Sequence, residues 1–296
     1  MIQCHVLLAS VSGYHQHLAR LKQIAQRRHL SDEALLVHIA AVYAENRGAY
    51  GWPRIWRQLR KQGIRVGKMR VQRLMKKHGI HARGKRRFRV VTTDSKHDLP
   101  VAENVLNRNF TPAAPNQSWV GDFTYIATKE GWLFLAVVID LFSRKVIGWS
   151  MRSDMQRDLV IDAREMAWFA RKPGKNAGLV FHSDRGSQAG VPGKRSLLAG
   201  VEYASDDFRK VLEHCTITPS MSRKGNCWDN ACSETLFGSL KVERLYGEQF
   251  ETIREAKDAT IAWLLWYNQT RMHSTLDYIS PVQFEENWAE VKKIAA

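Results

Sequence analysis

Between Ser118 and Met151 three β-type runs follow one another, Ser118–Ala127, Trp132–Asp140 and Lys145–Met151, and this succession restricts the chain more than any other feature. The segments after it alternate in type. A helical stretch Arg157–Phe169 leads to a strand Gly178–His182, and a helix Asp206–His214 leads to a short strand Thr216–Pro219. A further stretch of helical character runs from Asn230 to Arg244. The order βββ, α, β, α, β, α predicts an α/β domain. Thr252-Ile-Arg-Glu255 has the form of a capping box, which opens another helix through Tyr267.

Upstream of that domain the charge is concentrated. The 296 residues carry a formal net charge of +16, yet Arg47 to Thr93 holds 16 Lys or Arg and no Asp or Glu, and the rest balances at 29 basic against 29 acidic. Such a segment favours a polyanion, because neutralising phosphates releases counterions. Charge alone also permits RNA or a membrane surface. No run approaches the roughly 18 apolar residues of a membrane span. The start Met-Ile-Gln-Cys-His has no basic region before an apolar stretch, so no signal peptide is expected, and the protein is expected in the cytoplasm with its DNA.

The basic segment has its own pattern. Leu35, Leu36, Ile39, Ala40 and Tyr43 share a helical face within Glu33–Asn46, with Ser31 and Asp32 as caps. Pro53 suits the first turn of a second helix that turns Ile55 and Leu59 inward. After a turn at Gly63–Val66, a third helix from Lys68 to His78 ends at Gly79. It offers Val71, Leu74 and Met75 to a core and Arg70, Arg73 and Lys77 on another face, as a helix-turn-helix does when it enters the major groove. Arg54, Arg57 and Lys68 join the expected DNA contacts.

Three acidic residues stand at element ends that can hold a carboxylate in a cleft: Asp122 in the first strand, Asp184 after Leu179-Val180-Phe181, and Glu234 in the late helical stretch. Mg²⁺ and Mn²⁺ favour oxygen ligands. Two such ions activate an attacking oxygen and stabilise a leaving one in phosphoryl displacement. Asp229 and Asn230 are expected to cap the late helix, and Asp140, Glu243 and His273 to be structural. The four cysteines, Cys4, Cys215, Cys227 and Cys232, lack both a disulfide framework and paired zinc-ligand spacing.

The stretches Trp-Val-Gly-Asp122-Phe-Thr-Tyr-Ile, His-Ser-Asp184-Arg-Gly-Ser-Gln and Asn-Cys-Trp-Asp-Asn-Ala-Cys-Ser-Glu234-Thr-Leu-Phe, with Lys241 seven residues further, resemble the DDE transposases of bacterial insertion sequences. The resemblance is to the second-frame (OrfB-type) product with a retroviral-integrase-like (rve) catalytic core. It runs from about Glu33 to Trp288 and takes in Tyr267-Asn268, Arg271-Met272-His273-Ser274 and Ser280-Pro281. It implies an α/β, RNase H-like catalytic core behind an N-terminal all-α helix-turn-helix domain, with Asp122, Asp184 and Glu234 as catalytic metal ligands for two Mg²⁺ or Mn²⁺ ions and Lys241 on the DNA. It further implies double-stranded DNA as partner, both terminal repeats and target, a homo-multimer on that DNA, and an upstream-frame (OrfA-type) protein or fusion.

The domains expected on this basis are a helical segment 1–30, the helix-turn-helix 31–84, a basic linker 85–112, the core 113–246 and a C-terminal helical segment 247–296. The core departs from the family pattern at one place. Between Asp184 and Glu234 lie 49 residues, and removing 189–202 leaves 35, the family's spacing. The 14 added residues read as a surface loop, since each doubling of loop length costs only about 0.6 kcal/mol. With only 185–188 between them and Asp184, they also admit an inactivated copy that binds DNA as a repressor. An RNase H-like nuclease is the remaining alternative.

Overall fold

The computed structural model describes residues 10–22, 30–84, 102–154, 157–174, 177–184, 203, 206–223 and 227–295. It divides into two compact units, Met1–Arg83 and Gly84–Ala296. The first contains helices α1 (Val11–Lys22), α2 (Asp32–Glu45), α3 (Trp52–Lys61) and α4 (Lys68–Lys77). Ser31 caps α2 as expected, its Oγ accepting from the Ala34 N–H at 3.1 Å. Pro53 lies in the first turn of α3, and Gly63 and Gly79 take positive φ where α3 and α4 end. Leu35, Ile39, Ile55, Leu59, Val71 and Leu74 form the buried interior of this small bundle.

The second unit is built on a five-stranded sheet of order β3-β2-β1-β4-β5. Its strands are β1 (Ser118–Thr128), β2 (Gly131–Asp140), β3 (Val146–Arg152), β4 (Val180–Ser183) and β5 (Thr218–Met221). The first three pair antiparallel, and β4 and β5 join parallel to β1. Helices α5 (Arg157–Arg171) and α6 (Asp206–His214) cover one face, where Trp119, Phe123, Phe181, Leu159 and Phe208 share a core. Helices α7 (Ala231–Leu240) and α8 (Ile253–Gln269) cover the other, packing Leu236, Phe237, Trp263 and Leu264 on Leu135 and Val137. Cover on both faces explains why Leu133 to Asp140 are all buried.

Several boundaries differ from expectation for local reasons. Strand β5 starts at Thr218, because Thr216 takes φ 54° and the N–H groups of Cys215 and Ile217 close the end of α6 on Leu212 O. The late helix stops at Leu240 and continues as one widened π turn, Lys241–Leu245. That turn accompanies the inward seating of Glu243, which pairs with Arg271. Of the expected linker, 85–101 lie outside the described residues, and 102–110 are docked: Leu106 is buried with Val120 and Leu141, and its N–H donates to Ser220 Oγ at 3.1 Å. The expected break after 246 falls inside this unit, since α8 and α9 (Pro281–Ala295) are part of it.

Candidate active site and DNA-binding helix

Parallel pairing of β1 with β4 sets Gly121 beside Ser183, so the next residues along, Asp122 and Asp184, leave the ladder as neighbours. Side chains alternate along a strand. Asp122 therefore shares the α7 face with Val120, and Asp184 stands one place past the end of β4. Glu234 comes from the first turn of α7. Three separate elements thus deliver the three predicted carboxylates to one end of the sheet.

Their charges reach one another. Asp122 is buried, Asp184 half-buried and Glu234 exposed. Burial pushes the Asp122 carboxyl up to about 7, helped by the charge of Asp184 and then that of Glu234, and opposed by hydrogen bonds from the Phe123 N–H and the Asn230 amide. The bond from Phe123 N to Oδ1 is 2.8 Å, and that from Asn230 Nδ2 to Oδ2 is 3.0 Å. Lys241 belongs to the same locality: burial pulls its ammonium down and the charge of Asp122 pulls it back up. Its Nζ stands 5.6 Å from the Tyr125 ring centre.

The donor set fits a hard divalent cation. It is all carboxylate oxygen, and negative charge crowded around a buried Asp122 is the cost that a cation relieves. Among the described residues, no group of three His, Cys, Asp or Glu is drawn together closely enough to hold an ion as it stands. The carboxylates lie within electrostatic range of one another without forming a ligand cage.

Around them, buried polar contacts hold the sheet end. His182 bridges β4 and β5, with Nδ1 2.9 Å from Ser220 Oγ and Nε2 3.3 Å from Ser222 Oγ, and burial lowers its pKa to about 4. Asp229 and Asn230, expected as caps, are used otherwise. Asp229 receives Asn104 Nδ2 at 2.8 Å, Arg108 Nε at 2.9 Å and the Arg223 N–H at 3.1 Å. Burial pushes its carboxyl up, yet the Arg223 N–H, the bond from Arg108 and the charges of both arginines hold it below the usual carboxylate range. Asn230 stands at the cap position but makes no cap bond, because its amide goes to Asp122. No spacing rule links positions 122 and 230, so sequence reasoning missed the pair.

Asp140, Glu243 and His273 make structural contacts, as expected. Asp140 accepts from the Asn116 and Phe142 N–H groups, Glu243 from Arg271, and His273 packs edge-on against Tyr267. Cys232 Sγ accepts from Arg144 NH1 at 2.9 Å, and Cys215 is buried. Cys4 and the insertion 189–202 lie outside the described residues, as does the side chain of Cys227.

In the first unit, Lys68, Arg73 and Lys77 are exposed on α4. Arg70 is drawn inward: Nε donates to Asp32 Oδ1 at 2.8 Å and NH2 to Leu30 O at 2.7 Å, bracing α4 against the start of α2. Arg73 NH2 lies 3.5 Å from Asp32 Oδ2. The guanidinium groups of Arg54 and Arg57 lie 5.5 Å and 5.2 Å from the ring centres of Tyr50 and Trp56.

Comparison with known proteins matches residues 30–88 to an HTH-like domain, and 112–227 and 215–281 to integrase core domains. The chain is 39% identical over 289 residues to the 31 kDa protein of insertion element IS600 of Shigella sonnei, covering 97% of this chain and 99% of that one. It is 40% identical over 284 residues to transposase InsF for insertion sequence IS3A of Escherichia coli (strain K12), covering 95% and 92%. Among solved structures, the HTLV-2 integrase catalytic core domain in complex with magnesium is 17% identical, with a TM-score of 0.39 over 58% of this chain and 98% of that chain.

Proposed function

The chain belongs to the insertion-sequence transposases and joins an HTH-like domain to an integrase core domain, and from that premise we propose that Asp122, Asp184 and Glu234 form its metal-dependent site for donor-strand cleavage and strand transfer. What carries the assignment is the convergence of charge on Asp122 from two other elements, β4 and α7, together with the approach of Lys241.

The three carboxylates would hold Mg²⁺ or Mn²⁺, two ions by the chemistry of in-line phosphoryl transfer. Such ions, when bound, supply Lewis acidity that polarises the phosphate and lowers the pKa of water. This chain's residues do the rest. Asp122 anchors the site on the central strand of the sheet, Asp184 and Glu234 complete it from the end of β4 and the first turn of α7, and Lys241 draws the DNA phosphate toward it. In cleavage a water oxygen bonds to phosphorus as the bond to the 3′-oxygen breaks. In strand transfer the freed 3′-OH attacks a second phosphodiester, and its bridging oxygen leaves.

Arg54, Arg57, Lys68, Arg73 and Lys77 hold duplex DNA at the terminal repeats, and Arg70 sets the helix that carries most of them. Within the two units, 31–84 is the DNA-binding part and 113–246 the catalytic part, the latter completed by the C-terminal helices that pack on its sheet. The transposase acts as a homo-multimer on paired ends, alone or with an upstream-frame protein. Among the described residues no helix is long and apolar enough to cross a membrane. A cytoplasmic, nucleoid-associated location agrees with the DNA substrate.

The decisive assay is cleavage and joining of labelled element-end duplex with Mg²⁺ or Mn²⁺, comparing the parent chain with Glu234→Gln. Metal-dependent joined products from the parent, lost in the variant, are expected. Hydrolysis without joining supports the nuclease reading instead. End binding without any cutting supports an inactivated, repressor-like copy, and deletion of 189–202 then shows whether the insertion is responsible.

A further inference from the structure

Asn230 stands where a helix cap belongs and does not cap. It precedes α7 with φ −113° and ψ 20°, and its side chain bonds to no N–H of that helix. It is 6% exposed, and both ends of its amide are in use. Nδ2 donates to Asp122 Oδ2 at 3.0 Å, and Oδ1 accepts from the fully buried Ser233 Oγ. An ionised carboxylate only accepts, so the amide nitrogen faces Asp122, and the Ser233 hydroxyl, able to donate, serves the amide oxygen.

Asp122 is consequently held at both oxygens. Its own strand supplies the Phe123 N–H to Oδ1, and the start of α7 supplies the amide to Oδ2. The start of α7 is fixed in turn. Asp229, the adjacent residue, is buried and bound by Asn104, Arg108 and the Arg223 N–H, which ties the short turn Cys227–Asn230 to the docked lead-in and to the exit of β5. A local cap has been exchanged for a contact across the fold.

We propose that Asn230 is a positioning residue for Asp122: its amide N–H, oriented by Ser233, selects the carboxylate rotamer that presents Asp122 to the divalent cations of the strand-cleaving site. The proposal rests on the metal-site reading above. Residues that orient a ligand in this way commonly change metal affinity or activity by about 10–100-fold when replaced.

The test uses the full chain without DNA, titrated with MnCl₂ while free Mn²⁺ is followed by electron paramagnetic resonance. Asn230→Ala and Asn230→Asp are expected to weaken Mn²⁺ binding about tenfold or more, and Ser233→Ala by less, each measured well below the variant's own melting transition so that folded protein is compared with folded protein. Asn230→Ala combined with Ser233→Ala should be no weaker than Asn230→Ala alone. In nicking of labelled duplex, raised Mn²⁺ should restore Asn230→Ala toward the parent rate, while Asp122→Asn stays inactive at every concentration. Parental Mn²⁺ affinity in a folded Asn230→Ala overturns the proposal. If that variant does not fold, parental affinity in both Asn230→Asp and Ser233→Ala overturns it. Parental affinity in Asp122→Asn instead removes the metal-site reading itself, and the role of Asn230 falls with it.

Discussion

Glu243 and Arg271 show at the scale of single residues what a buried charge requires. Each side chain is 7% exposed, and Arg271 donates to Glu243 through NH2 at 2.7 Å and Nε at 2.8 Å while Trp263 Nε1 adds a third bond at 3.3 Å. Removing one partner strands the other without solvent, a cost of about 3–5 kcal/mol. Glu243→Ala should therefore lower the melting temperature sharply, whereas Glu243→Leu with Arg271→Met should recover most of the loss; equal melting of all three proteins would sink the account. Sequence marked Glu243 as structural but could not pair it, because a partner 28 residues away follows no helical spacing. The three candidate carboxylates could be singled out for the opposite reason. Each carries its own local motif, whereas the contact of Asn230 with Asp122 forms only when α7 folds against β1.

At the scale of elements, β3 and α5 lie against each other with no room for a side chain at Gly148. A methyl group on Gly148 meets the Ala163 carbonyl oxygen at 2.1 Å and the Ala167 nitrogen at 2.7 Å, both backbone atoms that cannot rotate away. Gly148→Ala should cost about 1–3 kcal/mol or more, measured as a reduced denaturant midpoint. The docking of α9 gives a pH-dependent prediction. Glu285 accepts from Ser143 Oγ at 2.6 Å, Lys145 Nζ at 3.0 Å and Arg171 NH1 at 3.0 Å, while Phe284 and Trp288 pack on Phe142. Burial pushes the Glu285 carboxyl up, but the bonds from Arg171 and Ser143, with the charges of Arg171 and Lys145, hold it below its ordinary 4.5. The unfolded chain then binds the proton more readily, so this stabilisation is complete above about pH 4.5 and is lost as the pH falls through the lower folded value. Trp288 fluorescence should follow that loss, and Glu285→Gln should flatten it. Element type was legible throughout the sheet, where three strands in succession give way to strands alternating with helices. Strand ends were not, since Thr216 turns out of line through a backbone angle that composition does not encode.

For the molecule as a whole, the division of labour follows the charge. DNA affinity of the full chain should fall steeply with salt, by about 0.9 log units per log unit of salt for each phosphate neutralised. Arg73→Ala and Lys77→Ala should each shallow that slope by about 1 with little change in melting, while Arg70→Ala should also lower the melting temperature, because Asp32 loses its brace. Equal effects of all three on stability would reject the distinction. The two-part plan was legible from the acid-free segment and the strand succession. That the far C-terminal helices belong to the second unit was not, since Leu264 and Trp263 find Leu135 and Val137 only in the folded sheet. Their late position sets an order of events during synthesis. The DNA-gripping part is finished by Arg83, but the face of β2 stays uncovered until α8 has left the ribosome, on the order of ten seconds later. A translation product released before that point is expected to retain the grip and lack the blade, a competitor for the element's own ends.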